Sequence, residues 1–143
     1  MRASIETYGT LRHFGISESW GEPLQMDEDF LLALDEARHL VGRPFHIHSA
    51  FREGAVAPSG RLSNHALGRA ADLHIEGLGV VDQFLAIERL GLSFEIGLYL
   101  DWNQPGLHLA LQVEPSRDRW IRFGSSYQPL ESKGLRRILQ VAS

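Results

Sequence analysis

The sequence contains no cysteine. This absence excludes disulfides, thiol catalysis and cysteine-bound zinc, so any metal would be held by nitrogen and oxygen ligands. A surplus of basic residues is also missing, because the formal net charge is −4 at pH 7. The composition therefore gives no indication of a nucleic-acid partner or of an anionic membrane surface.

Long apolar runs are absent as well. No run approaches the roughly 18 consecutive apolar residues of a membrane-spanning helix. Residues 1–20 contain one early charge but no apolar stretch behind it, unlike a secretory signal peptide. We therefore expect a protein that is cytoplasmic at synthesis, which leaves open its release by lysis or its carriage in a virion.

The chain has the size and composition of one domain. Its 143 residues, of which 43% are hydrophobic, are enough to build one sizeable core. The sequence contains no internal repeat, low-complexity tract or linker-like segment. We expect a single domain over residues 1–143, and the sequence leaves its oligomeric state open.

Two periodicities predict the secondary structure. Helices are predicted where apolar residues follow helical spacing, at about 28–41 and 79–90, with a weaker one near 133–141. Strands are predicted where apolar and polar residues alternate, at about 45–50, 69–75, 94–100 and 107–113. Each strand has one apolar face and one face with histidine or carboxylate. This pattern favours an α+β fold, an antiparallel sheet with helices packed on one face.

Histidine is the residue type with an unusual count, seven in all. His65 lies in a predicted loop, and Asp72 lies on the polar face of the strand that follows it. These two side chains can supply two metal ligands from one continuous segment. A catalytic zinc needs three protein ligands and one open position, and His108 on the polar face of a later strand is the natural third.

The segment SNHALGRAAD resembles the S-x-H-x-x-G-x-A-x-D signature of the M15-type zinc peptidases. That family comprises D-alanyl-D-alanine carboxypeptidases and dipeptidases, L-alanyl-D-glutamate endolysins and phage-encoded relatives. Every defined position of the signature matches: Ser63, His65, Gly68, Ala70 and Asp72. The upstream segment SAFR is similar to the family's S-G-Y-R, and the segment GLHL lies where the family has its third zinc histidine. The resemblance covers about residues 10–113.

The resemblance implies a fold of the hedgehog/DD-peptidase type and a bound Zn²⁺ held by His65, Asp72 and His108. It also implies that Arg52 and Ser63 bind the substrate. An arginine presents a rigid fork of donors that suits a carboxylate. The implied activity is hydrolysis of an amide bond in the peptide stem of peptidoglycan, of the D-Ala-D-Ala carboxypeptidase or the L-Ala-D-Glu endopeptidase type. The sequence leaves the choice of bond open.

The position of the acidic catalytic residue departs from the family pattern. Many members carry an acid three residues before the last zinc histidine, where this chain has Pro105, and others carry one two residues after it, where this chain has Ala110. We expect Asp101 to be the catalytic base, with Glu95 on the same strand as the alternative. A second hypothesis is an inactive relative, a phage or cell-wall-binding protein that keeps the zinc site.

Three further histidines lie on the predicted polar face. His46 and His48 form a metal-like pair on one strand and imitate the first cupin motif, but no second cupin motif follows and two strong helices argue against that fold. We expect both to line the cleft near the zinc, and His74 to support a zinc ligand from behind.

Overall fold

A computed structural model describes residues 1–57, 60–112 and 119–130 of the chain. The described helices are α1 (Ile5–Thr10), α2 (Glu28–Val41) and α3 (Val80–Glu88), with one 3-10 turn at Pro23–Gln25. The described strands are β1 (Phe45–Ser49), β2 (Ala70–Ile75), β3 (Phe94–Tyr99), β4 (Gly106–Leu111), β5 (Arg119–Phe123) and β6 (Ser126–Pro129). The fold is therefore mixed α+β.

The six strands form one sheet in the order β1-β2-β4-β3-β5-β6. Neighbouring strands are antiparallel except β3 and β5, which run parallel. The expectation of an antiparallel sheet is wrong at this pair, and the sheet is mixed. Strand β5 follows β4 in the chain but pairs with β3, on the side of β3 away from β4. There it runs in the same direction as β3.

The periodicity of the sequence correctly predicts most of these helices and strands. The helices predicted at 28–41 and 79–90 and all four predicted strands are present, with bounds that shift by at most two residues within the described ranges. Helix α1 and strands β5 and β6 were not predicted. The helix predicted near 133–141, and residue 113 of the last predicted strand, lie outside the described residues.

Helix α2 shows how the core is built on one face of the sheet. The Asp27 carboxylate accepts a hydrogen bond from the Phe30 backbone N–H at 3.0 Å and so caps the N-terminus. Gly42 ends the helix in the left-handed conformation, with φ 76°. Inward residues of α2 and α3 share one core with inward residues of β2 and β4: Leu31, Leu34, Phe84, Ile87, Leu73, Leu107 and Leu109.

The opposite face of the sheet carries the polar residues. Since side chains alternate along a strand, burying Leu73 and Leu107 in the core turns Asp72 and His108 to the other side. The polar side chains Asp72 and His108 therefore lie on the face that the described helices do not cover. Among the described residues, every helix falls short of the length and apolar character needed to cross a membrane.

Gly68 lies just before β2, where the backbone passes close to residues 25–27 of the N-terminal segment. It adopts φ +71°, and its carbonyl accepts a hydrogen bond from the Asp27 N–H at 2.9 Å. A Cβ at this position would clash with the carbonyl oxygen of Gln25, a backbone atom that cannot rotate away. Glycine is therefore required here both by conformation and by space.

We expect Gly68→Ala to destabilise the protein more than Gly54→Ala, because Gly54 has a similar φ of +69° but open space around it. The left-handed conformation costs each variant about 1–2 kcal/mol, and the backbone clash adds roughly 1–3 kcal/mol at position 68 alone. Urea titrations give the free energies of unfolding. Equal losses in the two variants would show that the close approach to Gln25 has no energetic weight.

Candidate metal centre

The sheet register brings Asp72 and His108 together. These two residues are direct partners in the antiparallel β2–β4 pair, so their side chains leave the sheet side by side on the same face. His65 reaches the same point from the turn at 64–68, immediately before β2. Two neighbouring strands and one turn thus supply the three residues that the sequence predicts as metal ligands.

The three side chains meet through one atom each. Nε2 of His65 lies 3.2 Å from Nδ1 of His108 and 3.3 Å from Oδ1 of Asp72. Nδ1 of His108 lies 3.1 Å from the same Asp72 oxygen. All three residues are buried, each less than a tenth exposed. A buried group with donor atoms this close can hold a metal ion.

The spacing of the donor atoms fits a tetrahedral metal. With bonds of about 2.0–2.2 Å to nitrogen and oxygen, neighbouring ligand atoms in a tetrahedron lie roughly 3.3–3.6 Å apart. The three separations of 3.1–3.3 Å lie at or slightly below the short end of this range, so a small outward movement of the side chains would accommodate the ion. Two imidazoles and one carboxylate form a ligand set that catalytic zinc sites use, with the fourth position left open.

Outer partners orient two of the donors. Nδ1–H of His65 donates to the Ala50 carbonyl oxygen at 2.6 Å, which fixes the proton on Nδ1 and leaves the Nε2 lone pair toward the site. Nη2 of Arg52 donates to Oδ2 of Asp72 at 3.3 Å, so Oδ1 is the oxygen that faces the two imidazoles. The Arg52 side chain is about half exposed, 52%, and remains accessible to a bound molecule.

Glu95 approaches the site from the neighbouring strand. Its Oε1 lies 3.6 Å from Nε2 of His108. In the β3–β4 pair, Glu95 is the direct partner of Ala110, and Gly97 is the partner of His108. The carboxylate therefore lies on the same face as His108, over the small side chain of Ala110.

Asp72 and His108 hold each other in their charged forms when no metal is bound. Burial acts to raise the pKa of Asp72, but the hydrogen bond from His108 and the nearby imidazoles outweigh it and lower that pKa well below its ordinary value of 3.8. Burial acts to lower the pKa of His108, but hydrogen bonds to Asp72 and Glu95 raise it above its ordinary 6.5. A ligating histidine must be neutral, so metal binding displaces this proton.

A cavity of about 480 Å³ opens beside two of the three donors, His65 and His108. Arg52, Ser63 and Glu95 also line it, whereas Asp72 is not among its lining residues. The predicted substrate-binding residues Arg52 and Ser63 thus border the same space as these two histidines. Ser63 also closes the turn before His65, because its Oγ accepts the Ala66 N–H at 3.4 Å.

Asp101 lies elsewhere. It is exposed, in the turn beyond the last β3–β4 pair of Tyr99 and Gly106, and its Oδ2 accepts the Gly124 N–H at 3.0 Å. It is not among the residues that line the 480 Å³ cavity. The carboxylate that the structure brings to the donors is Glu95, which the sequence analysis held as the alternative.

Three aromatic residues also line the cavity: Tyr99, Trp120 and Tyr127. The Trp120 ring lies 5.2 Å from the His108 ring, centroid to centroid. A Cβ on Gly97 would meet the Trp120 indole, so Gly97 makes room for this ring beneath the site. Tyr127 was missed because β6 was not predicted. Tyr99 had a signal, since it shares a strand face with Glu95.

Three other histidines, His46, His48 and His74, form a group of their own. Nε2 of His48 lies 2.6 Å from Nδ1 of His74, and the His46 ring stacks on the His74 ring. His74 therefore contacts His48 and His46, and its described hydrogen bond goes to His48. Burial lowers the pKa of both His48 and His74, so both rings are neutral at pH 7.

Comparison of the chain with models of protein families, with curated proteins and with solved structures finds no significant match in any of the three.

We expect alanine at His65, Asp72 or His108 to lower the affinity for Zn²⁺ by more than about 100-fold, because losing an outer partner alone costs 10–100-fold. His39→Ala, which changes an exposed histidine on α2, should bind Zn²⁺ like the unmodified protein. Competition titration with a chelator gives the affinities, and circular dichroism confirms folding. Full zinc affinity in either the His65 or the His108 variant would refute this ligand set.

The pKa shifts also predict how the stability of the metal-free protein depends on pH. The pKa of His108 is raised, so its contribution is complete below pH 6.5 and is lost as the pH rises through the folded-state pKa. The pKa of Asp72 is lowered, so its contribution is present above pH 3.8 and is lost only in stronger acid. We expect the metal-free protein to lose stability above pH 6.5.

His108→Gln should remove most of that loss, because glutamine does not titrate. The measurement compares urea midpoints of both proteins, with chelator present, at about pH 5.5 and about pH 8.5. An equal decline in the two proteins would mean that the Asp72–His108 pair does not cause the pH dependence.

Proposed function

We propose that the protein is a zinc-dependent peptidase that hydrolyses an amide bond in the peptide stem of peptidoglycan. The observation that carries this proposal is the close triangle of His65, Asp72 and His108 donor atoms, of which the two histidines line a cavity together with Arg52 and Glu95. A metal ligand set, an open space, an accessible cationic donor and a carboxylate are the parts that hydrolysis of an amide requires.

Zinc, when bound, supplies Lewis acidity: it lowers the pKa of water to about 7 and polarises a carbonyl. The chain holds its donors ready for this task. The hydrogen bond to Ala50 directs the His65 lone pair toward the site, and Arg52 leaves only one Asp72 oxygen facing the imidazoles. Burial of all three residues excludes bulk water from behind the site.

Glu95 is the proposed general base and acid. Its carboxylate lines the cavity next to His108 and is about a fifth exposed, 21%, so it can reach a water molecule there. Glu95 would accept a proton from water as the oxygen attacks the carbonyl carbon. It would then give that proton to the amide nitrogen as the C–N bond breaks. The products are a carboxylic acid and a free amine.

The peptidoglycan substrate is supported by the match of SNHALGRAAD to the M15-type signature. The observed position of Arg52, half exposed on the cavity wall, suits a stem peptide because such peptides carry carboxylates. Members of that family also place an acid two residues after the last zinc histidine. In this chain Glu95 stands directly across from that position, Ala110. We also propose that the fold is of the hedgehog/DD-peptidase type.

We expect the zinc-loaded protein to release new amino groups from purified peptidoglycan fragments, and mass spectrometry of the products would identify the bond. Glu95→Gln should lower the rate by about 100-fold or more, the usual contribution of a general base. Asp101→Asn should remain close to the unmodified rate, because Asp101 bonds to Gly124 outside the cavity.

Zinc affinity separates the two roles that Glu95 can play. A general base leaves the affinity within about tenfold when it becomes glutamine, whereas a group that only orients His108 costs 10–100-fold in affinity. An inactive Asp101→Asn with an active Glu95→Gln would return the role of base to Asp101. Zinc-loaded protein that binds peptidoglycan and cleaves nothing would identify it as an inactive relative.

A further inference from the structure

A second pair of histidines on the metal-bearing face takes no part in the proposed reaction. Nε2 of His48 and Nδ1 of His74 lie 2.6 Å apart, and the two ring centroids are 4.9 Å apart. At this distance one neutral ring donates its N–H to the lone pair of the other. Two imidazole nitrogens that share one proton in this way are placed to bind one metal cation in place of that proton.

The local fold of β1 explains why these rings meet. The register of β1 against β2 shifts between Ile47 and Ser49, so His48 is the extra residue of a β-bulge. A bulge redirects the side chain that it carries. His46 is the direct strand partner of His74, and its ring stacks on that of His74 at 4.8 Å, which supports the His74 ring from the other side.

We propose that His48 and His74 form a second metal site, which binds a divalent transition metal through Nε2 of His48 and Nδ1 of His74. Imidazole suits zinc, nickel and copper. Binding requires the donating ring to move its proton to its other nitrogen and the two nitrogens to separate by several tenths of an ångström. His48 is exposed and His74 is half-buried, so both rings have room for this adjustment.

Carboxylates lie near both rings of the pair. Asp72 at His48 and Glu76 at His74 act in favour of a positive charge there, whereas the neighbouring imidazoles act against it. A depression of about 380 Å³ lies beside His48, bordered by Trp102 and Gln104, with room for water or a carboxylate to complete the coordination.

A second histidine pair in the chain provides a control. Nε2 of His13 lies 3.2 Å from Nδ1 of His39, and this pair is also exposed. Two cations, Arg12 and Arg38, act on His13, together with one carboxylate, Asp35. The two pairs are therefore similar in geometry and differ in local charge, because two permanent cations act on His13 whereas a carboxylate acts on each ring of the His48 pair. Only the pair at His48 should bind a metal ion at moderate concentration.

The test is a titration of the ¹⁵N-labelled protein with Zn²⁺ near neutral pH, followed through the histidine ring signals. We expect the His48 and His74 signals to move together, in a step separate from His65 and His108, while His13 and His39 stay unchanged. This step is observed whether or not the first site binds zinc, so it tests the second site by itself.

Equilibrium dialysis with Zn²⁺ gives the second measurement. His48→Gln and His74→Gln should each remove one bound equivalent, whereas His13→Gln should remove none. The proposal is overturned if the His48 and His74 signals stay in place at a tenfold excess of Zn²⁺. Equal responses of the two histidine pairs would likewise overturn it, because they would show general binding to exposed imidazole.

Discussion

The pairing of Asp72 with His108 across β2 and β4 is the constraint on which the candidate metal centre depends. Because the two residues are direct strand partners, the register that joins the strands also sets the distance between two ligand atoms. A slip by one residue would turn one of these side chains into the apolar core and a leucine out of it. The metal centre and the core are therefore specified by the same register.

The apolar face of the sheet supplies the stability that the polar face needs. His65, Asp72 and His108 are all buried, and burying such groups is unfavourable unless each has a partner. Here each one satisfies the others, and the Ala50 carbonyl and Arg52 complete the set. Helices α2 and α3 pack only against the other face, which leaves the space over these residues to the cavity.

The sequence predicts the parts of this protein that periodicity controls. Alternation along four strands locates Asp72 and His108 on one face, and helical spacing locates α2 and α3. The sequence does not reveal which end of β3 lies near His108, because that depends on the register with β4; hence the preference for Asp101 over Glu95. Strands β5 and β6 escaped prediction because they are only five and four residues long, and the parallel pairing of β5 with β3 joins residues far apart in the chain.

The position of Glu95 opposite Ala110 has a consequence for how such sites are found. A sequence motif records only the order of residues along the chain. On the face of a sheet, however, side chains from two neighbouring strands can approach the same position. A carboxylate at position 95 of β3 and one at position 110 of β4 would leave the sheet side by side on the same face, although they occupy different places in the linear pattern. A search template that records which residues are direct partners on neighbouring strands would recognise this arrangement, whereas a linear sequence motif does not.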